Sequence, residues 1–188
     1  MDPQTSSGHL FVVSGPSGAG KGTVVRWVLE RRPEIVLSVS CTTRPARSGE
    51  RNGIEYRFVT EPEFLGMRDR GEFLESAEVY GNYYGTPRAP IEAAVMAGRD
   101  VIAELDIQGA QAVKRTKPDA VLVFIEPPSI DHLSERLRGR GTEDHDSLRR
   151  RLDAAYDEMK TRQIYDHIVV NDDVERAGES LVRILEGS

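Results

Sequence analysis

Apolar residues fall along this chain in short runs separated by longer stretches with helical spacing. Leu10 to Ser14, Val36 to Ser40, Val101 to Leu105, Val121 to Ile125 and Ile168 to Val170 read as strands. Helical stretches start between and after them, near Lys21, Pro87, Gln108, Ile130, Ser147 and Val174. Such alternation predicts βαβ units around a parallel sheet, hence an α/β fold. Residues 42 to 86 break the pattern. Turn signals crowd there (Arg44-Pro45, Ser48-Gly49, Asn52-Gly53, Gly81-Asn82) beside short alternating pieces such as Tyr56-Arg57-Phe58-Val59. With a helix capped by Thr60 and Glu63, the segment reads as a small, mostly antiparallel insertion. A second departure runs from Arg136 to Arg151, where Gly139 and Gly141 separate two arginine-rich helices, and reads as a mobile flap. No repeat, low-complexity tract or long linker divides the chain, so one domain is expected.

Composition narrows the field. A chain of 188 residues, 38% hydrophobic, can bury a core of its own. Its 31 Asp+Glu against 25 Lys+Arg give a net charge of -6, so nucleic-acid polymers and anionic membranes are repelled by the molecule as a whole. Any anion it binds must meet locally clustered cations. The opening Met1 to Gly8 carries no basic n-region and no run approaches membrane-spanning length. A polar, frayed tail and a cytoplasmic setting are the expectation. Cys41 stands alone, which excludes an intrachain disulfide, and nothing beside it suggests a nucleophile, so it reads as a packing residue. His9, His132, His145 and His167 have no metal-ligand spacing.

The chemistry begins at "GPSGAGKGT", Gly15 to Thr23, between the first strand and the first helix. Gly15, Gly18 and Gly20 let the backbone curl so that N–H groups converge, the helix adds its positive end, and Lys21 reaches terminal phosphates. Pro16, Ser17, Ala19 and Gly22 complete this nucleotide loop. One position departs from the motif: Gly22 follows the lysine where a hydroxyl is expected, and Thr23 comes one place later. Metal contact then falls to Thr23 or to water.

Downstream, Arg44 and Arg47 flank Pro45, with Tyr56 further on, which suits one more phosphate separate from the loop. A solvated basic turn fits the same residues. In order, "GPSGAGKGT", "SCTTRPARSGERNG", "GEFLESAEVYGNYYGTPRAPI", "LRGRGTE" and "VVNDD" make the chain resemble the guanylate kinase family from about His9 to Leu185. The resemblance implies a P-loop three-layer fold with a parallel five-stranded sheet, a GMP-binding insertion and a helical lid. It also implies the reaction ATP + GMP ⇌ ADP + GDP, with dGMP as a further acceptor, and Mg2+ accompanying ATP. On that basis residues 9–41, 87–126 and 152–188 form the core, 42–86 the insertion and 127–151 the lid. Rival readings are a catalytically dead module that binds a phosphopeptide, and a kinase for another phosphorylated acceptor such as a ribose bisphosphate. Against the first stands the intact loop with Lys21; against the second stands the set Ser40, Glu75 and Thr86.

That set makes chemical sense. Guanine presents N1–H and N2–H2 donors beside the O6 acceptor, so a carboxylate receives the donors while a hydroxyl donates to O6. Residue by residue, the resemblance gives Glu75 the carboxylate role, Ser40 and Thr86 the hydroxyls, and Arg44, Arg47, Tyr56 and Tyr84 the GMP phosphate. Glu104 and Asp106 lie two apart, on one face of a strand near its C-terminal edge. Asp106 either orients Mg2+ and its water or caps the following helix, and both readings stand. Where Glu104 stands the family often has aspartate, in contact with the acceptor base or water. Arg136, Arg140 and Arg151 match the arginines that close over ATP, and Asn171 the adenine side, where a turn-and-cap role is equally natural. No general base is needed, because the attacking phosphate is already an anion. The quaternary expectation is a monomer or a weak homo-oligomer.

Overall fold

The computed structural model describes residues 7–138 and 145–188. A central sheet holds β1 (Leu10–Ser14), β2 (Val36–Leu37), β7 (Val101–Glu104), β8 (Val121–Glu126) and β9 (His167–Val170). Its order is β2-β7-β1-β8-β9, with every pairing parallel. In β1, β7 and β8 the apolar runs are continuous because both faces are covered, while the edge strand β9 leaves Ile168 and Val170 exposed. Along β1 the pleat sends Leu10 and Val12 to one face, with Ala103, Leu122, Phe124 and Val113, and Phe11 and Val13 to the other, with Ile102, Val123, Ile125 and Leu181. Truncating a residue as enclosed as Leu122 to alanine costs about 2–5 kcal/mol.

Helices α1 (Lys21–Arg31) and α7 (Val174–Glu186) cover the second face, and α3 (Arg88–Met96) and α4 (Ile107–Thr116) the first. The α1–α7 contact is close: a Cβ on Gly178 would lie 2.2 Å from the Trp27 ring. Pairing β1 to β7 on one side and β8 on the other gathers the strand ends Ser14, Glu104 and Glu126 along one edge.

The expected second strand is shorter than its apolar run. Val36–Leu37 pairs with β7, the Ser38 N–H makes a last bond to the Ile102 carbonyl at 2.8 Å, and Val39 and Ser40 lead on outside the strand. The chain then enters a second, four-stranded sheet of order β4-β3-β6-β5, made by β3 (Cys41–Thr42), β4 (Arg57–Phe58), β5 (Phe73–Val79) and β6 (Asn82–Pro87). The β3–β6 and β5–β6 pairings are antiparallel, while β3–β4 is parallel. Helix α2 (Glu61–Asp69) packs over it through Phe64, stacked on Phe73 at 4.6 Å and Tyr83 at 5.4 Å, and Cys41 is buried in this cluster. Thr60 and Glu63 form the expected capping box, with Glu63 Oε2 accepting from the Thr60 N–H at 2.8 Å. Beyond β8 come α5 (Ile130–Arg138) and α6 (His145–Lys160), which pack through Leu133 and Ala155. The glycines of the expected flap, Gly139 and Gly141, lie outside the described residues.

Candidate active site

The loop after β1 owes its path to two glycines. Gly15 has φ +143 and a Cβ there would lie 2.0 Å from the Ile125 carbonyl oxygen; Gly20 has φ +88 and its Cβ would meet Asn171 at 2.4 Å. No other residue fits either place without moving backbone or side chain. The turn is fastened from outside: Asn171 Nδ2 and Arg136 Nη1 both donate to the Ala19 carbonyl, at 2.7 Å and 3.2 Å. Arg136 Nη2 also donates to the Asn171 carbonyl at 2.8 Å, so α5, the loop and the end of β9 are joined.

Lys21, first residue of α1, donates to the carbonyls of Gly15 at 2.6 Å and Pro16 at 3.3 Å. Burial lowers its pKa, and Glu104, Glu158 and Asp106 partly offset this by their charge. Glu158, on α6, is a site residue the sequence reading missed. Burial raises its carboxyl pKa, while the nearby Ser17 N–H and Lys21 act the other way. Glu104 opens to solvent on one side but is otherwise enclosed, and burial raises its pKa against the pull of Lys21 and Arg26. Asp106 takes the capping role: its Oδ1 accepts from the Gly109 N–H at 2.7 Å, which starts α4 and leaves its other oxygen uncommitted by that bond. Thr23 is exposed in the first turn of α1.

Across the cleft, register explains the acceptor side. Glu75 pairs with Thr86 and Ala77 with Tyr84, so Glu75, Ala77, Val79 and Tyr84 line one cavity of about 240 Å³ with Ser40, Tyr56 and Glu104. Thr86 is buried and donates its hydroxyl to Glu75 Oε1 at 2.5 Å. Burial raises the Glu75 pKa, the Thr86 bond lowers it, and Asp106 adds to the rise. Thr86, one of two hydroxyls expected to face the base, therefore directs its proton to the carboxylate. Ser40, half-buried, remains as the hydroxyl facing the cavity.

Arg44 is bound to a partner that the sequence reading overlooked. Glu50 receives both of its guanidinium ends, at 2.9 Å and 3.0 Å, and also the Arg47 N–H at 2.7 Å. The Arg44 bond and then the Arg47 amide hold the Glu50 pKa at about 2. Arg44 also lies 5.4 Å over the Tyr56 ring, and Tyr56 meets Tyr84 edge-on at 6.1 Å. Arg44, Tyr56 and Tyr84 thus form one group at the rim, and Arg47 sits exposed on the same turn. Of the remaining expected residues, Arg140 lies outside the described residues, and Arg151 is described only in its backbone position on α6.

The guanylate kinase family profile matches residues 7–188. A guanylate kinase of Aromatoleum aromaticum is 49% identical over 181 residues, covering 96% of this chain and 89% of that protein. One from Carboxydothermus hydrogenoformans is 48% identical, covering 95% and 87%. Among solved structures, guanylate kinase from Anaplasma phagocytophilum superposes with a TM-score of 0.78 at 38% identity, covering 97% of this chain and 86% of that one.

Proposed function

The chain belongs to the guanylate kinase family, and from that premise we propose how its own residues carry the transfer of the ATP γ-phosphoryl group to GMP. The observation that supports this most is the placement of Glu75, braced by Thr86, in a cavity that shares Glu104 with the lysine-bearing loop. A base reader and a phosphate cradle therefore open onto one cleft.

The loop amides and the start of α1 hold the ATP phosphates, and Lys21 turns from the Gly15 and Pro16 carbonyls to the terminal oxygens. Asn171 and Arg136 hold the loop in shape, and Arg136 joins Arg140 and Arg151 among the arginines that close over ATP. Glu75 accepts from guanine N1–H and N2–H2, and Ser40 donates to O6. Arg44, Arg47, Tyr56 and Tyr84 take the GMP phosphate, with Glu50 aiming Arg44. Arg140 and Arg151 supply the lid's charge on closure.

Among the described residues no three His, Cys, Asp or Glu side chains are grouped to hold a metal by themselves. A cation that keeps its waters and takes one or two carboxylates plus phosphate oxygens suits such a site, and Mg2+ is of that kind. Asp106 and Glu104 offer hard oxygens beside Lys21, and Thr23 stands nearby in the first turn. When bound with ATP, Mg2+ neutralises charge developing between the phosphates.

In this reading residues 42–86 act as the acceptor insertion and 127–151 as the lid. Neither nucleic-acid polymers nor membranes are partners, the setting is the cytoplasm, dGMP is also used, and the chain is a monomer or weak homo-oligomer. Among the described residues no helix is long and apolar enough to cross a membrane. A coupled assay with Mg·ATP and a panel of GMP, dGMP, AMP, CMP and UMP tests the assignment. Strong preference for the two guanine nucleotides is expected, and equal rates would overturn the base-reading role of Glu75.

A further inference from the structure

The phosphate-loop motif places a hydroxyl directly after its lysine, and that hydroxyl faces the metal. Here the position is Gly22. Glu104 lies next to it: a Cβ built on Gly22 would be in ordinary contact with the carboxylate, 3.4 Å from Oε2 and 3.5 Å from Oε1. Both carboxylate oxygens thus face the bare backbone of residue 22, and a serine Oγ added there would reach into them. Glu104 also lines the cleft on both sides, beside Lys21 and beside Glu75.

We propose that Glu104 stands in for the missing loop hydroxyl, its carboxylate taking the metal-facing place that a serine or threonine at position 22 would occupy. The inference rests on the loop being the donor-nucleotide site. Gly22 and Glu104 are then one functional unit, because the carboxylate lies in contact with position 22 and supplies the oxygen that the glycine lacks. An aspartate at 104 is one methylene shorter and draws its oxygens back from residue 22, which leaves no protein ligand on that side. A serine at 22 with Glu104 retained ties hydroxyl and carboxylate to each other. Serine with aspartate restores a matched pair of the other kind.

This arrangement can be separated from a role of Glu104 in the acceptor base site by measuring metal binding directly. The full chain is prepared as wild type, Gly22→Ser, Glu104→Asp, Glu104→Gln and the double variant Gly22→Ser/Glu104→Asp. Free Mn2+ is followed by electron paramagnetic resonance during titration of each protein·ADP complex, and ADP binding without metal is followed by calorimetry. Loss of a ligand should weaken Mn2+ binding about tenfold in Gly22→Ser, Glu104→Asp and Glu104→Gln. The double variant should return to within about threefold of wild type, a non-additivity expected only of a coupled pair. ADP affinity without metal is measured for each variant as its own reference and as a report that it is folded, and the Mn2+ loss is read relative to it. Additive losses in the double variant, or unchanged Mn2+ affinity in Glu104→Gln, would overturn the inference while leaving the donor-loop reading intact. Failure of the wild type to bind ADP with or without metal would overturn that reading and this inference with it.

Discussion

Replacing Glu75 by glutamine should harm catalysis and help stability, and the structure gives the sign of both. The side chain keeps its length and can still accept the Thr86 hydroxyl bond, now 2.5 Å, so the strand pair around it should survive. What is lost is the charge that receives two guanine donors. A hydrogen bond to a charged group is worth about 1.5–3 kcal/mol, and glutamine can keep one of the two through its oxygen while its amide opposes guanine N1–H. The expected loss is about 3 kcal/mol, or roughly 10²-fold in kcat/KM for GMP, with ATP KM within about twofold of wild type. IMP lacks the N2 amine, so the wild-type preference for GMP over IMP should shrink as well. Stability moves the other way. Burial raises the folded-state pKa of Glu75 above its unfolded value. Such a group adds stability while protonated and loses it as pH rises through the folded pKa, so at neutral pH its ionised form is a burden. Glu75→Gln should therefore melt higher than wild type at neutral pH, and the gap should close as pH falls toward the ordinary carboxyl range. Coupled assays and melting curves across pH measure the two effects. An unchanged GMP preference, or a variant less stable than wild type at neutral pH, would refute the reasoning.

Lys21→Ala should lower kcat by about 10³-fold with the fold retained, since a partly desolvated ammonium helps position and neutralise the transferring group; near-normal turnover in the coupled assay would contradict this. Glu50→Gln loosens the bidentate brace on Arg44 and should raise KM for GMP about tenfold while kcat/KM for ATP holds, as steady-state kinetics with each substrate varied will show. Thr60→Ala removes a capping box far from the chemistry and should cost about 1 kcal/mol, lowering Tm by about 2–4 °C with kcat unchanged.

The centre of the sheet was legible because β1, β7 and β8 are enclosed on both faces and so are apolar without interruption, as Val121 to Ile125 are. The start of α1 at Lys21 and the cap at Thr60 were legible because their determinants are local in sequence. Val36 to Ser40 misled for a physical reason: the last bond to β7 is made by the Ser38 N–H, and apolar character alone does not say where a partner strand ends. The site residues divide the same way. Glycine spacing announces a phosphate loop, but the Arg44–Glu50 brace, the Thr86–Glu75 bond and the hold of Asn171 on Ala19 are choices among several chemically adequate partners. The Asn171–Ala19 pair spans 152 positions, and no local rule reaches that far. Glu158 had no cue at all, since a glutamate on a charged helix is ordinarily solvated.

The charges around Lys21 explain why a site built for polyanions contains so many acids. Glu104, Glu158 and Asp106 all act on that one ammonium, and the whole chain carries a net charge of -6. Left alone, such a site would oppose a triphosphate. Loop amides contribute partial positive charge without any side chain, which lets them serve the phosphates while carboxylates stand close by. The same carboxylates raise the lysine pKa against the lowering caused by burial, so the acids help to keep charged the group that must meet the phosphate. Glu75 and Glu104 lie in surroundings that raise their own pKa values, and each becomes comfortable only with a cationic or proton-donating partner. In the proposed reading guanine's N–H groups are such a partner for Glu75, and a metal-bearing donor nucleotide is one for Glu104. Each substrate then relieves one of the two carboxylates, GMP acting on Glu75 and the donor nucleotide on Glu104.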